Sequence, residues 1–406
     1  MSSTLNLALL KKILTQPTAP FREMHVIKTL TQEFKNFNIP YFQDPVGNIV
    51  VGVSSQKEYV KLVQTKSQEP LRIFIAHMDH PGFHGVKWKN QNTLEIKWHG
   101  GSPTKHLKNA KVWLANSQKY LGEGLLTKAH LEATKVNISK SIKTGEVKMP
   151  VQNIFTKDIF AKSIFAKNIF GGLAFRAPVW TRAKLLYTKG ADDLVGSFAI
   201  THLALKYLSK KKSMKTPPRF LGFLTRAEEV GFIGAIGHFE LGWLKNTKRE
   251  ILCISLETSR ALPGAAIGKG PVVRLGDRYT VFNPNYLRVL LDLAKISLGT
   301  NFQKKVMDGG TCEGTIATAY GFPTIGISVP LGNYHNQSFE GGIDSRGSCG
   351  PAPEFIHLTD VNGLITLCED LLKPKIFSKN PWTMSIAKFR RNFKKYTPLL
   401  KSAFFS

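Results

Sequence analysis

Apolar positions recur at helical spacing at the start of the chain. Leu5, Leu7, Leu9, Leu10 and Ile13 form one such set, and Val26, Leu30 and Phe34 a second. They predict that residues 1–45 are mainly helical. PVGNIVVGV (45–53) then reads as a turn followed by a buried strand. PLRIFIAHMDHPG (70–82) is a short continuous apolar run that ends in polar residues. It predicts a buried strand with its chemistry-bearing groups at the carboxyl end, where open α/β sheets place ligand groups.

Between about 90 and 180 the texture changes. TLEIKWHGG, AKVWLAN and EGLLTKA alternate with glycine and polar turns, as in a small all-β insert. KDIFA, KSIFA and KNIF (157–170) repeat at a period too short for a solenoid unit, and are read as a duplicated strand or turn. From 183 the alternation of strand and helix returns. Helices are expected through Ser197–Leu208, 286–297 and 359–372, and strands at RFLGFLTR, EILCISLE and GFPTIGISVP. Strands alternating with helices predict an α/β fold with a mostly parallel central sheet covered by helices. The expected division is an α/β domain made of 1–90 and 181–372, a β-rich insert at 91–180, and a tail at 373–406.

Charge changes the picture in one respect. Fifty-six Lys and Arg face 28 Asp and Glu, for a net charge of +28, a field that attracts anionic partners. The lysines are scattered, and no RNA-recognition, zinc-finger or helix-turn-helix pattern accompanies them, so a general lysine bias is the simpler reading. The tail concentrates the charge: Lys373, Lys375, Lys379, Lys388, Arg390, Arg391, Lys394, Lys395 and Lys401, with no acid. Ile386, Phe389, Phe393 and Leu400 fall on one helical face there. Two roles are open to it, contact with an anionic surface or nucleic acid and docking on its own domain or another copy. No apolar run reaches the roughly 18 residues of a membrane span, and the first helix lacks the features of a signal peptide. Cys253, Cys312, Cys349 and Cys368 lie far apart with no CxxC pair. They suggest a reduced, cytoplasmic protein without a cysteine-based zinc site.

Polar residues cluster at the predicted strand ends: His77 with Asp79, Asp192 with Asp193, Glu228 with Glu229, and His335, while Glu257 closes ILCISLE. Each has a plainer explanation. A strand-end histidine is usually a satisfied polar residue, Asp192 suits a helix N-cap, and paired glutamates are usually solvated. Together they suit two divalent metals. Zinc accepts imidazole and carboxylate, and cobalt or manganese accept the same donors. One histidine and one acid per metal with a shared aspartate uses His77, Asp192, Glu229, Glu257 and His335. Glu228 is left as a general base. In an extended strand Asp79 points to the same side as His77 and would fix its imidazole.

These motifs carry a family resemblance. AHMDHPGFHG (76–85), KGADDLVG (189–196), TRAEEVGFIGA (225–235) and GNYHN (332–336) resemble, in order, the motifs of the dinuclear zinc aminopeptidases of the glutamyl and tetrahedral aminopeptidase group. DPVGNIVV, GGSPTKHLKNAKVWL, YLGEGLLTKAH, IGKGPVVRLGD and GGTCEGTIATAYGFPTIGISVP extend the resemblance over about 45–372. It implies a zinc-peptidase α/β domain with an inserted small β-barrel lid. It also implies removal of N-terminal residues from peptides in a large cytosolic homo-oligomer. By motif, His77 and a bridging Asp192 bind one zinc, Glu229 and His335 fill the remaining positions, and Glu228 is the base. The chain departs from the family pattern at His80 (usually an acid), Leu194 (usually Arg), Glu257 (usually Asp) and Cys312 (usually the Asp of GTD), and by a longer segment at 337–355. Two other readings use the same residues: a different dinuclear amidohydrolase, such as a carboxypeptidase or an N-acyl amino acid deacylase, and a binding protein whose site has decayed.

Overall fold

The computed structural model describes residues 5–133, 140–149, 165–209 and 219–402. Its main sheet contains β1 (Tyr41–Gln43), β2 (Ile49–Val51) and β3 (Leu71–His77). Six strands then form a separate closed barrel: β4 (Gly82–Asn90), β5 (Thr93–His99), β6 (Ala110–Ala115), β7 (Tyr120–Ala133), β8 (Lys140–Lys148) and β9 (Phe170–Leu173). The main sheet resumes with β10 (Val179–Arg182), β11 (Leu185–Thr188), β12 (Phe220–Thr225), β13 (Ile251–Arg260), β14 (Val272–Asp277), β15 (Gln303–Met307), β16 (Thr324–Gly332) and β17 (Glu354–His357). Its order is β1-β2-β12-β3-β13-β16-β17-β11-β10, with β14 pairing β15 and β16. The central strands β12, β3, β13 and β16 run parallel, and antiparallel strands close both edges. The molecule is therefore an α/β protein whose sheet is parallel at its centre, carrying a closed antiparallel barrel. The barrel opens at Gly82, earlier than the change of texture near residue 90, because β4 follows β3 after only a short turn.

Burial explains the apolar runs. Every residue of β3, β12 and β16 is buried, as in strands covered on both faces. The helix Leu194–Leu208 is buried almost all round and packs on the centre of the sheet. The helix Met24–Asn36 buries Val26, Leu30 and Phe34, the face its spacing predicts. The helices Pro284–Leu298 and Leu358–Leu371 join this face, and the helices Gln56–Gln64 and Ile233–Glu240 cover the other. The barrel has its own core, built on Phe83, Leu94, Ile96, Val112, Leu114, Leu126 and Val147. Most of the KDIFA repeat lies outside the described residues; its end forms a 3-10 turn at Ala166–Asn168 and opens β9. Among the described residues, no helix is long and apolar enough to cross a membrane. All four cysteines are free.

Candidate metal centre

The parallel register carries several polar residues to one end of the sheet. His77 is the last residue of β3, opposite Thr225 at the end of β12. Beyond Thr225, Glu228–Val230 form a single 3-10 turn. Ser255 is the last residue of β13 paired with β3, opposite Ile75, so Glu257 two residues on comes level with His77. β13 continues to Arg260, so Glu257 lies within the strand rather than at its end. β16 delivers the turn Tyr334–Asn336, and β11 leads into Asp192 and Asp193.

His77, Asp192, Glu228, Glu229, Glu257 and His335 converge there. Nε2 of His77 lies 3.5 Å from Oδ1 of Asp192 and 3.8 Å from Oε2 of Glu228. Nε2 of His335 lies 3.8 Å from Oδ2 of Asp192 and 3.1 Å from Oε2 of Glu229. The two oxygens of Asp192 thus face two different histidines. His77, Asp192 and Glu257 offer ligand atoms within 4.8 Å of one another, and so do Asp192, Glu229 and His335, and His77, Glu228 and Glu229.

The donor set fits a divalent cation. Oδ1 of Asp192, Oε1 of Glu229, Oε1 of Glu257 and Nε2 of His335 are buried without a hydrogen-bond partner. Orphaned buried groups of this kind are rare unless something binds them. Burial holds the Asp192 and Glu228 carboxyls well above the usual range, and Glu229 and Glu257 add to the effect by charge repulsion. Burial pushes Glu229 up to about 8 and His335 down to about 4. Burial alone would lower the His77 imidazole, but Glu228, Asp192 and Asp79 override it and hold it well above its ordinary value. A bound dication reverses the penalty on such a cluster of carboxylates.

Supporting residues fix this geometry. Asp79 lies beyond the end of β3, so strand alternation does not aim it. Nδ1 of His77 is 3.1 Å from the Asp79 carbonyl oxygen and 3.6 Å from its carboxylate. The Asp79 carboxylate also accepts from the backbone N–H of Glu228 (2.9 Å) and of Glu229 (3.1 Å), and so holds the glutamate turn. The N-cap of the helix Leu194–Leu208 is Asp193, which accepts from the N–H of Gly196, and not Asp192 as its position in the sequence suggested. Thr258 donates 2.8 Å to Asp193, and Asp192 is thereby left to face the histidines.

Three residues went unnoticed in the sequence. Glu354, fully buried, accepts from the N–H of Ala191 (2.6 Å), Asp192 (3.3 Å) and His335 (2.8 Å). It ties together two loops far apart in the chain, and its only signal was its place near the end of the long segment 337–355. Glu23, also fully buried, anchors Arg226 and the N–H of Ala227 beside the glutamate turn. Gly101, in the β5–β6 loop of the barrel, packs so closely on the His335 ring that a β-carbon there would lie 2.8 Å from its Cγ and Cε1. His80, where an acid was expected, bridges the Asp192 carbonyl (3.0 Å) and Asn336 Oδ1 (3.2 Å). Ala227, Phe232, Asn333, His335 and Asn336 all adopt left-handed backbone conformations. Such strain is common at functional sites.

Comparison with known proteins identifies the fold and the family. The family profile of M42 glutamyl aminopeptidases matches residues 59–340. No curated protein matches the sequence. Among solved structures, the Pyrococcus horikoshii TET1 peptidase, described as assembling into a tetrahedron or a large octahedral shell, is 19% identical with a TM-score of 0.66, over 91% of this chain and 99% of that one. The aminopeptidase APDkam598 of Desulfurococcus kamchatkensis is 18% identical with a TM-score of 0.66, over 92% and 95%. A TET aminopeptidase of Thaumarchaeota archaeon SCGC AB-539-E09 is 17% identical with a TM-score of 0.63, over 92% and 98%. With the family profile matching more than half of its length on a fold shared with these enzymes, the chain belongs to the M42 glutamyl aminopeptidase family and is a peptide hydrolase.

Proposed function

We propose that the protein removes N-terminal residues from peptides, using two divalent metal ions held by His77, Asp192, Glu229, Glu257 and His335. The observation that carries this reading is the placing of Asp192 between two histidines, one on each of its oxygens. A carboxylate in that position would be shared between two donor sets, His77 with Glu257 and Glu229 with His335, each of which would hold one cation. Nitrogen and oxygen donors without a thiolate suit zinc, and accept cobalt or manganese. The longer side chain of Glu257 reaches the same cluster as His77 and Asp192, which supports a working site rather than a decayed one.

When bound, such ions polarise the scissile carbonyl and acidify water. The chain's own residues do the rest. Glu228, beside His77, takes the proton of the attacking water on its carboxylate and returns it to the leaving amine. Asp79 holds Glu228 at that distance through the backbone of its turn. Family membership favours substrates with a free N-terminal amine over C-terminal or N-acylated ones. We further read the protein as a homo-oligomer, like the TET1 assembly, and its free cysteines as those of a cytoplasmic protein.

Glu228→Gln tests the mechanism. Metal content and metal affinity should stay near wild type, while kcat falls by about 10²–10⁴. Wild-type turnover in the variant would remove Glu228 from its role. A panel of aminoacyl-arylamides, C-terminally distinct peptides and N-acyl amino acids tests the substrate class: cleavage only of free-amine substrates is expected. Light scattering reads the assembly.

A further inference from the structure

The peptidase reading leaves the C-terminal helix without a role. Thr383–Ser402 is a 20-residue helix. It is anchored where it begins, by the Trp382 indole N–H donating 2.8 Å to Asn285 Oδ1 on the helix Pro284–Leu298. Beyond that point its large apolar side chains are exposed, with Phe389 62%, Phe393 64% and Leu400 60% accessible. At roughly 100° per residue, Ile386, Phe389, Phe393, Tyr396 and Leu400 share one arc, while Lys388, Arg391, Lys394 and Lys395 occupy the opposite one and Arg390 borders it. Residues 373–406 contain no acid.

Each arc restricts the partner. Three large apolar side chains in water call for an apolar environment, and an arc whose charges are all basic calls for anions. Pairing the apolar faces of two copies would leave both basic arcs turned outward with their charge unmet, on molecules that already carry +28 each. Nucleic acid meets the cations and leaves Phe389 and Phe393 in water. A protein groove would need a register of charges, and the basic arc has no acid to set one. An anionic lipid surface satisfies both arcs: the rings enter the boundary between headgroups and acyl chains, and the long basic side chains reach back to the lipid phosphates. We propose that the helix Thr383–Ser402 docks this peptidase in the plane of an anionic bilayer surface, with Ile386, Phe389, Phe393 and Leu400 inserted.

The test is co-sedimentation of the full-length protein with large vesicles of phosphatidylcholine containing about one-third phosphatidylglycerol. Strong partition is expected, weak partition onto pure phosphatidylcholine, and a steep fall in high salt. Phe389→Ser with Phe393→Ser should lower partition at least about tenfold. Lys388→Glu with Lys395→Glu should lower it by about fivefold or more per charge. Both pairs lie on exposed positions away from the metal centre and should leave peptide hydrolysis unchanged. Sedimentation velocity and binding to a short DNA duplex complete the set. No preference for anionic vesicles overturns the proposal. So does a fall in assembly size on removing the phenylalanines, which would make the face a contact between copies. DNA binding that ignores the phenylalanines, alongside absent vesicle binding, would assign the tail to nucleic acid instead.

Discussion

The most demanding test of the metal centre lies outside it, at Gly101. This residue belongs to the barrel, yet its Cα faces the His335 ring. A β-carbon added there would lie 2.8 Å from Cγ and Cε1 of His335 and closer still to Nδ1. Ordinary contact begins near 3.4 Å, so Gly101→Ala forces a separation of more than half an ångström at the ring carbons. Either the loop or the ring must give. The loop is pinned. Trp98 donates 3.0 Å to the Gly101 carbonyl, Ser102 accepts from the N–H of Ile142 at 2.8 Å, and Gly100 turns at φ 83° against Pro81. The ring stacks on Tyr334, at 3.7 Å between centroids, and no hydrogen bond fixes its Nε2. The ring therefore yields. A metal ligand tolerates about 0.2 Å of error, and disturbing the residues that orient a ligand typically lowers affinity 10–100-fold. Gly101→Ala should thus weaken one of two metal-binding steps by about 1.4–2.7 kcal/mol and lower kcat/KM in parallel. Calorimetric titration of the metal-stripped protein and rates on an aminoacyl-arylamide measure both. Unchanged binding and rates within twofold would refute the argument. A lowered Tm with intact metal affinity would show that the loop gave way instead, at the 1–3 kcal/mol usual for overpacking.

Three further outcomes follow from the same geometry. Asp79→Ala frees the glutamate turn, whose two N–H groups the carboxylate accepts; metal affinity should fall about 10–100-fold, read by the same titration. Glu257→Ala should abolish one metal step, because Oε1 of Glu257 is a buried orphan beside His77 and Asp192, whereas Glu257→Asp should retain it more weakly; metal analysis after dialysis separates the two. Lys189 is buried over Trp113 and donates to the Gln16 carbonyl, and burial pushes its ammonium down to about 7. Its folded pKa lies below the unfolded value of about 10.4, so between those limits the unfolded state binds more protons and stability from this group rises with pH. Lys189→Met should flatten the rise in Tm between about pH 7 and 9, and an unaltered slope would count against it.

Much of the scaffold could be read from the chain directly. Apolar runs at β3, β12 and β16 predicted buried strands because covered parallel strands need no polar face. Helical spacing located Met24–Asn36 and Pro284–Leu298. The candidate ligands stood out because imidazoles and acids directly follow apolar strands. Local pattern reached no further. It aimed Asp79 by strand alternation, although β3 has already ended at His77, and it offered Asp192 as the helix cap that Asp193 provides. Spacing describes neighbours along the chain. Which of two adjacent acids caps and which faces the histidines depends on Thr258, some sixty-five residues away.

The sequence by itself determined the parallel α/β layering, the inserted β segment and the strand-end positions of His77, Glu228, Glu229 and His335. Each of these follows from short-range periodicity and from groups that must leave an apolar run. Tertiary structure alone decided the rest. Glu354 joins the loops of Asp192 and His335, Gly101 of the barrel bears on His335, and the apolar face of the final helix is exposed. The physical reason is the same in each case: a buried carboxylate, a missing β-carbon or an amphipathic face takes its meaning from what stands opposite, and only the folded chain supplies that.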